Sequence, residues 1–291
     1  MTRSKTPATV RFLARPQGRI SYTVSGDGPL VVAIPGMGDL RGTWRDVVAP
    51  LVDAGFRVAV ADLRGHGDSD TTFTEHGDLA TASDILALID ELGGPALVLG
   101  NSMAGSAAVI AAAQRPDAVA GLALISPFLR NGGSPGAERA LRILYRTLFA
   151  RPWGAAVWAM YYRSTLSKGA QARWLGEHVA AIRSSMREPG RLQSLRDLTL
   201  SLDHDLVTPH IADVKTPALI MVGAGDPDYK DAAAELAWMG TQLAAETVLV
   251  ENAAHYAQHQ RPDVVVPRVL AFAERLRSGS GSGSGWRAAR A

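Results

Sequence analysis

Ser102 stands in the run Gly100-Asn101-Ser102-Met103-Ala104-Gly105, after a short apolar stretch and before an Ala-rich one. Small residues on both sides let a serine sit in a sharp turn between strand and helix without colliding with either. Such a turn presents Oγ at the carboxyl end of a sheet and leaves the Met103 N–H at a helix N-terminus, where negative charge is stabilised. A serine hydroxyl is a poor nucleophile until a neighbouring base takes its proton. Imidazole suits that task near neutral pH. A carboxylate must then fix the tautomer and stabilise the imidazolium. Asp226, preceded by Gly223-Ala224-Gly225, and His255, preceded by Ala253-Ala254, can both reach a sheet edge. Asp228 is a rival to Asp226. His259, four residues beyond His255, shares its face if that stretch is helical, but reads as a surface or supporting group. His66 reads as structural, ordering a loop beneath the site, and His76, His178, His204 and His210 have no partner identifiable from sequence. No His-Glu-x-x-His pattern occurs and the chain has no cysteine, so neither a metal nor thiol chemistry is expected.

These residues need a scaffold, and the apolar pattern supplies one. Strands are expected at Arg19–Val24, Leu30–Ile34, Arg57–Ala61, Ala96–Leu99, Val119–Ile125, Ala218–Val222 and Thr247–Val250. Helices are expected at Thr43–Ala54, Asp78–Leu92, Met103–Gln114, Asp231–Met239 and Pro262–Leu276. Strand–helix alternation of this kind implies a mostly parallel sheet covered on both faces. The stretch 127–210 breaks the rhythm: it has no β pattern and is rich in Trp, Tyr and Met. It reads as helices inserted between two strands to form a lid. The core is then 1–126 and 211–277. The tail 278–291 opens with alternating Ser and Gly, which behaves as a flexible linker and is set apart from the fold.

The 291 residues are 47% hydrophobic and carry a net charge of only +2, which gives no reason to expect a nucleic-acid partner. No signal-type apolar run opens the chain and no long apolar segment follows. The expectation is a cytoplasmic protein, monomer or homodimer, with a small-molecule partner and no membrane association.

From Ser21 to Leu276 the chain resembles the α/β-hydrolase superfamily. Besides the serine turn, the likeness rests on Pro35-Gly36-Met37-Gly38, on Asp62-Leu63-Arg64-Gly65-His66-Gly67-Asp68-Ser69, on Gly223-Ala224-Gly225-Asp226, and on Asn252-Ala253-Ala254-His255. The resemblance implies an eight-stranded α/β-hydrolase fold and the chain order Ser102, Asp226, His255 for a catalytic triad. It places a second oxyanion donor at the Met37 N–H, beside that of Met103, and requires no cofactor. Where most relatives have His-Gly, this chain has Pro35-Gly36, losing a side chain that usually braces the loop.

The substrate must be argued from the site rather than the fold. An aromatic lid suggests an apolar pocket, with Trp153, Trp158, Tyr161 and Trp174 as candidate substrate contacts. A small, largely hydrophobic ester or lactone is the leading class. Gly-Asn-Ser-Met and His255-Tyr256-Ala257-Gln258 also resemble C–C bond hydrolases of vinylogous diketones. A cofactor-free oxygenase and a ligand-binding relative of the same fold complete the alternatives.

Overall fold

The computed structural model describes residues 9–131, 144–279 and 286. Its framework is one eight-stranded sheet in the order β1-β2-β4-β3-β5-β6-β7-β8. The strands are β1 (Val10–Arg15), β2 (Gly18–Ser25), β3 (Leu30–Ile34), β4 (Arg57–Ala61), β5 (Ala96–Asn101), β6 (Val119–Ile125), β7 (Ala218–Gly223) and β8 (Glu246–Val250). β2 runs antiparallel to both β1 and β4, and the pairings from β4 through β8 are parallel. Strands buried on both faces read as unbroken apolar runs. Leu30-Val31-Val32-Ala33-Ile34 is such a run, every residue of it buried.

α1 (Arg45–Asp53) and the helix Pro262–Ser278 cover one face, through Val47, Leu51, Val265, Val269 and Phe272. α2 (Asp78–Leu92), α3 (Met103–Gln114) and the helix Ala232–Leu243 cover the other, through Ile85, Ile89, Ile110, Leu236 and Met239. Small residues let α3 sink between its neighbours: from Met103 to Ala112 it is buried throughout. Local chemistry sets the helix ends. Gly93, at φ 70°, closes α2 in the left-handed conformation that glycine adopts most readily. The Asp231 carboxylate accepts the Ala234 N–H and caps the helix it precedes.

Between β6 and β7 the described residues form helices and no strand, including Gly154–Tyr161, Leu175–Ser185, Arg191–Ser201 and Thr208–Ile211. This insertion is divided. Phe149, Trp158, Tyr162, Leu175, Ile182 and Leu195 pack into a cluster of their own with Tyr256. Leu198, Val207 and Ile211 instead join the main core, so the chain from Leu198 to the end of the insertion is fixed to it.

No strand is expected from the sequence at β1, which lacks a core-facing alternation because Leu13 is its one buried residue. One expectation is corrected. The tail is not wholly outside the fold: Ser278 ends the last helix, and Trp286 is buried against Phe56, with ring centroids 5.4 Å apart. Its indole N–H donates to the Pro95 carbonyl at 2.9 Å. Residues 280–285 and 287–291, the remainder of the expected linker, lie outside the described residues. No helix among the described residues is long and apolar enough to cross a membrane.

Candidate active site

The strand order makes the site. β3 connects to β4 on one side, while β5 returns to the other side of β3, so the connections diverge at the carboxyl ends of β3 and β5. That divergence leaves a crevice where ligands bind in open α/β sheets. Ile34 pairs with Gly100, setting the Pro35-Gly36-Met37 turn beside Ser102.

Ser102 has φ 58° and ψ −130°, a conformation rarely adopted by a residue with a side chain. Two close approaches hold it there. A Cβ on Gly100 would lie 2.6 Å from the Ala104 carbonyl oxygen, and one on Gly36 would lie 2.9 Å from Ser102 Cβ. The neighbouring Asn101 is fully buried, and its Nδ2 donates to the carbonyls of Ile125 and His255, at 3.1 and 3.2 Å. It ties the serine turn to the histidine backbone, a role that its place in the motif did not disclose.

His255 follows β8 and Asp226 follows β7. His255 Nδ1 lies 3.0 and 3.2 Å from the two Asp226 oxygens, and both side chains are almost fully buried. Burial alone would raise the Asp226 pKa, but the adjacent imidazolium outweighs it and holds the carboxyl below its ordinary value. Burial likewise works against charge on His255, yet Asp226 and Asp228 push it up to about 9. Asp228 is the second carboxylate here, its Oδ2 3.3 Å from Nδ1. One histidine nitrogen and two carboxylates thus lie within 4.8 Å of one another. Because an ionised carboxylate only accepts, Nδ1 carries the proton that it donates to Asp226, which leaves Nε2 as the ring's free lone pair.

Ser102, Met103, Met37 and His255 line a single cavity of about 1210 Å³. No hydrogen bond joins Ser102 Oγ to His255 among the described residues; contacts of this kind commonly tighten only around substrate. Met103 opens α3, so its N–H is one of the first-turn donors without an intrahelical acceptor. The Met37 turn is braced from three sides. His66 Nε2 accepts the Gly38 N–H at 3.1 Å, while its Nδ1 faces the Arg64 carbonyl at 2.9 Å. Burial pushes its pKa down to about 4, which keeps the ring neutral and able to accept. Trp158 Nε1 donates to the Gly38 carbonyl at 2.8 Å. Asp39 is anchored by His178 Nε2 at 2.6 Å and by the Tyr162 hydroxyl at 3.0 Å. These contacts supply the bracing that Pro35 does not.

Of the four aromatic candidates, Trp158 and Tyr161 line the cavity. Trp153 is half exposed, its indole N–H bonded to the Thr147 carbonyl. Trp174 faces away, donating to Asp46 and packing edge-on to His178 and His259. Neither is a cavity residue. His259 is not a surface group: it is fully buried, its Nε2 3.3 Å from the Tyr162 hydroxyl. His178 and His204 do have partners, in Asp39 and Asp78.

A model described as "Alpha/beta hydrolase family" matches residues 31–268. An uncharacterized protein of Mycobacterium bovis is 30% identical over 161 residues, 54% of this chain, and the match spans only 44% of that relative. The chain is 26% identical to a 2-hydroxy-6-oxo-6-phenylhexa-2,4-dienoate hydrolase of Comamonas testosteroni, over 84% of this chain and 87% of that one. A thermophilic esterase from Thermogutta terrifontis superposes with a TM-score of 0.74 at 22% identity, covering 92% of this chain and 99% of the other. With the serine turn, the sheet order and the histidine–acid pair already in place, the family match over most of the sequence makes the chain a member of the alpha/beta hydrolase family.

Proposed function

We propose that this alpha/beta hydrolase cleaves a largely hydrophobic ester or lactone through an acyl-enzyme on Ser102. His255 serves as the base and Asp226 as its orienting acid, beneath a lid formed by residues 127–210. The reading extends to a small-molecule substrate, a cytoplasmic setting and a monomeric or homodimeric enzyme.

The observation that carries it is the strained serine backbone opening onto a cavity shared with a histidine whose far nitrogen is held by a buried carboxylate. In the first half-reaction Ser102 Oγ attacks the carbonyl carbon as His255 Nε2 takes its proton. The oxyanion is received by the N–H groups of Met37 and Met103. The imidazolium then protonates the leaving oxygen. Water, deprotonated by the same ring, releases the acid in the second half. Apolar walls at Leu148, Phe149, Val157 and Trp158 favour a hydrophobic acyl or alcohol group. The cavity exceeds the roughly 300–1,000 Å³ of common ligand sites, so a bulkier apolar group than that of a short ester also has room.

The test is turnover of a p-nitrophenyl ester together with labelling by a fluorophosphonate. Ser102→Ala should abolish labelling and lower kcat by about 10⁴-fold or more, since a triad fails as a unit. Undiminished ester turnover by Ser102→Ala would sink the reading. A second reading, hydrolysis of a C–C bond in a vinylogous diketone, is favoured by the likeness to the Comamonas hydrolase over most of both chains. Assaying a 2-hydroxy-6-oxo-dienoate beside the ester separates the two.

A further inference from the structure

The turn after β7 carries two aspartates, and only one of them is shut away. The Asp226 side chain is fully buried, whereas that of Asp228 is 29% exposed and borders the cavity. The intervening Pro227 brings them together: the Asp228 N–H donates to Asp226 Oδ1 at 3.1 Å, so the second carboxylate rides on the first. Asp228 Oδ2 then approaches His255 Nδ1 to 3.3 Å, barely farther than the 3.0 Å of Asp226. Its other oxygen, Oδ1, lies 3.5 Å from the hydroxyl of Tyr161, which belongs to the inserted helices. A single N–H cannot point well at three oxygens, so the contribution of Asp228 is chiefly electrostatic.

We infer that Asp228 is a second positioning acid for His255, one that couples the base to the cavity and to Tyr161 of the lid. The assignment rests on the proposed roles of Ser102 and His255. Two carboxylates beside one imidazole favour the imidazolium more than one would, and an opposite charge this close typically moves a pKa by about 1–3 units. The groups facing His255 from the surrounding elements are few. Asp226 and Asp228 come from the turn after β7, and Asp39, farther off, from the turn after β3. Tyr161 reaches the cluster through Asp228. The Phe128 ring separates His255 from His204, and Tyr256 packs edge-on against His255. Asp228 is the member of this set that substrate and lid can both touch, so its charge is the one they can alter.

The experiment follows the second-order rate of Ser102 labelling by a fluorophosphonate from about pH 5 to about pH 10, which reports the base in the free enzyme. It needs no knowledge of the natural substrate. Asp228→Asn should move the acid limb down by about one pH unit while the high-pH plateau falls only a few-fold, because Asp226 still orients the ring. Asp228→Ser, which removes the charge with a different shape, should move it equally. Asp226→Asn should lower the plateau far more, since it leaves the ring without its main orienting partner. An unmoved limb in either Asp228 variant, with Ser102 labelled normally, overturns this assignment alone. Failure of the wild-type protein to label at Ser102 overturns it together with the proposed nucleophile.

Discussion

Among the described residues, two carboxylate–imidazole pairs have both side chains almost fully buried. Asp39 and His178 are 2.6 Å apart, with side chains 0% and 2% exposed. Asp226 and His255 are 3.0 Å apart, with side chains 0% and 3% exposed. On distance and burial the first pair is the tighter. Yet it is sealed: Asp39 also takes the Leu40 N–H and the Tyr162 hydroxyl, and none of these residues borders the cavity. The second pair borders open space beside a strained serine. The same two functional groups therefore lock one region and equip the other. What separates them is access to the ring, rather than the strength of the ion pair.

Substitutions at the two histidines break the comparison most sharply. His255→Ala should cost about 10⁴-fold in ester turnover if the proposed triad acts as a unit. Its melting temperature should fall by less than that of His178→Ala, because water entering the vacated space from the cavity can reach the residual carboxylates, although the stability carried by the raised His255 pKa is lost. His178→Ala should reverse the pattern. Breaking a buried pair strands a charge and costs about 3–5 kcal/mol, or on the order of 10 °C in melting temperature for a chain of this size. Differential scanning calorimetry beside ester kinetics checks both. Equal stability losses in the two variants would erase the distinction.

Acidity sharpens it next. His255 titrates near 9, so ester turnover should climb with pH until about that value, as the neutral base is released. Its contribution to stability runs the other way. A raised folded pKa stabilises fully below the ordinary histidine value of about 6.5, and that stabilisation is lost as pH rises through about 9. Asp39 is held below the usual carboxylate range: burial opposes its charge, but His178 outweighs the burial. Its contribution is present above about pH 4 and disappears as pH falls through its depressed folded value. Alkaline pH should therefore loosen the Asp226–His255 pair, whereas acid should reach both pairs, because Asp226 is held below its ordinary value as Asp39 is; urea titrations at several pH values would reveal this.

The smallest expected effect lies between the two pairs. Trp158→Phe keeps the ring in the cavity wall but deletes the N–H that holds the Gly38 carbonyl. A hydrogen bond worth about 1 kcal/mol corresponds to a loss of roughly five-fold in kcat. Because only the proposed oxyanion loop is relaxed, KM should hardly change.

The sequence revealed the parts whose signals are local. β3 reads as a strand because all five residues are apolar, and the sharp turn at Ser102 is legible because its small neighbours and flanking elements are contiguous with it. Contacts made across the chain were illegible. Asp39 and His178 lie 139 residues apart, and no periodicity points one at the other. Aromatic content forecast an apolar cavity, but helical phase decided its lining: Trp158 and Tyr161, three apart, turn inward, while Trp153 precedes their helix and stays outside. Asp228 carried a visible hint in its i, i+2 spacing from Asp226. Trp286, beyond a Ser/Gly run, carried none, since only a surface already built by Phe56 and Pro95 gives it somewhere to go.

That last residue has a geometric consequence. Phe56 and Pro95 precede β4 and β5, so Trp286 grips the amino ends of these strands, and the carboxyl end of β5 leads directly into Ser102. At about 3.3 Å per residue, a five- or six-residue strand separates the two by nearly 20 Å. Trp286 is therefore seated at the opposite pole of the sheet from the Ser102 cavity, with the length of a strand between them.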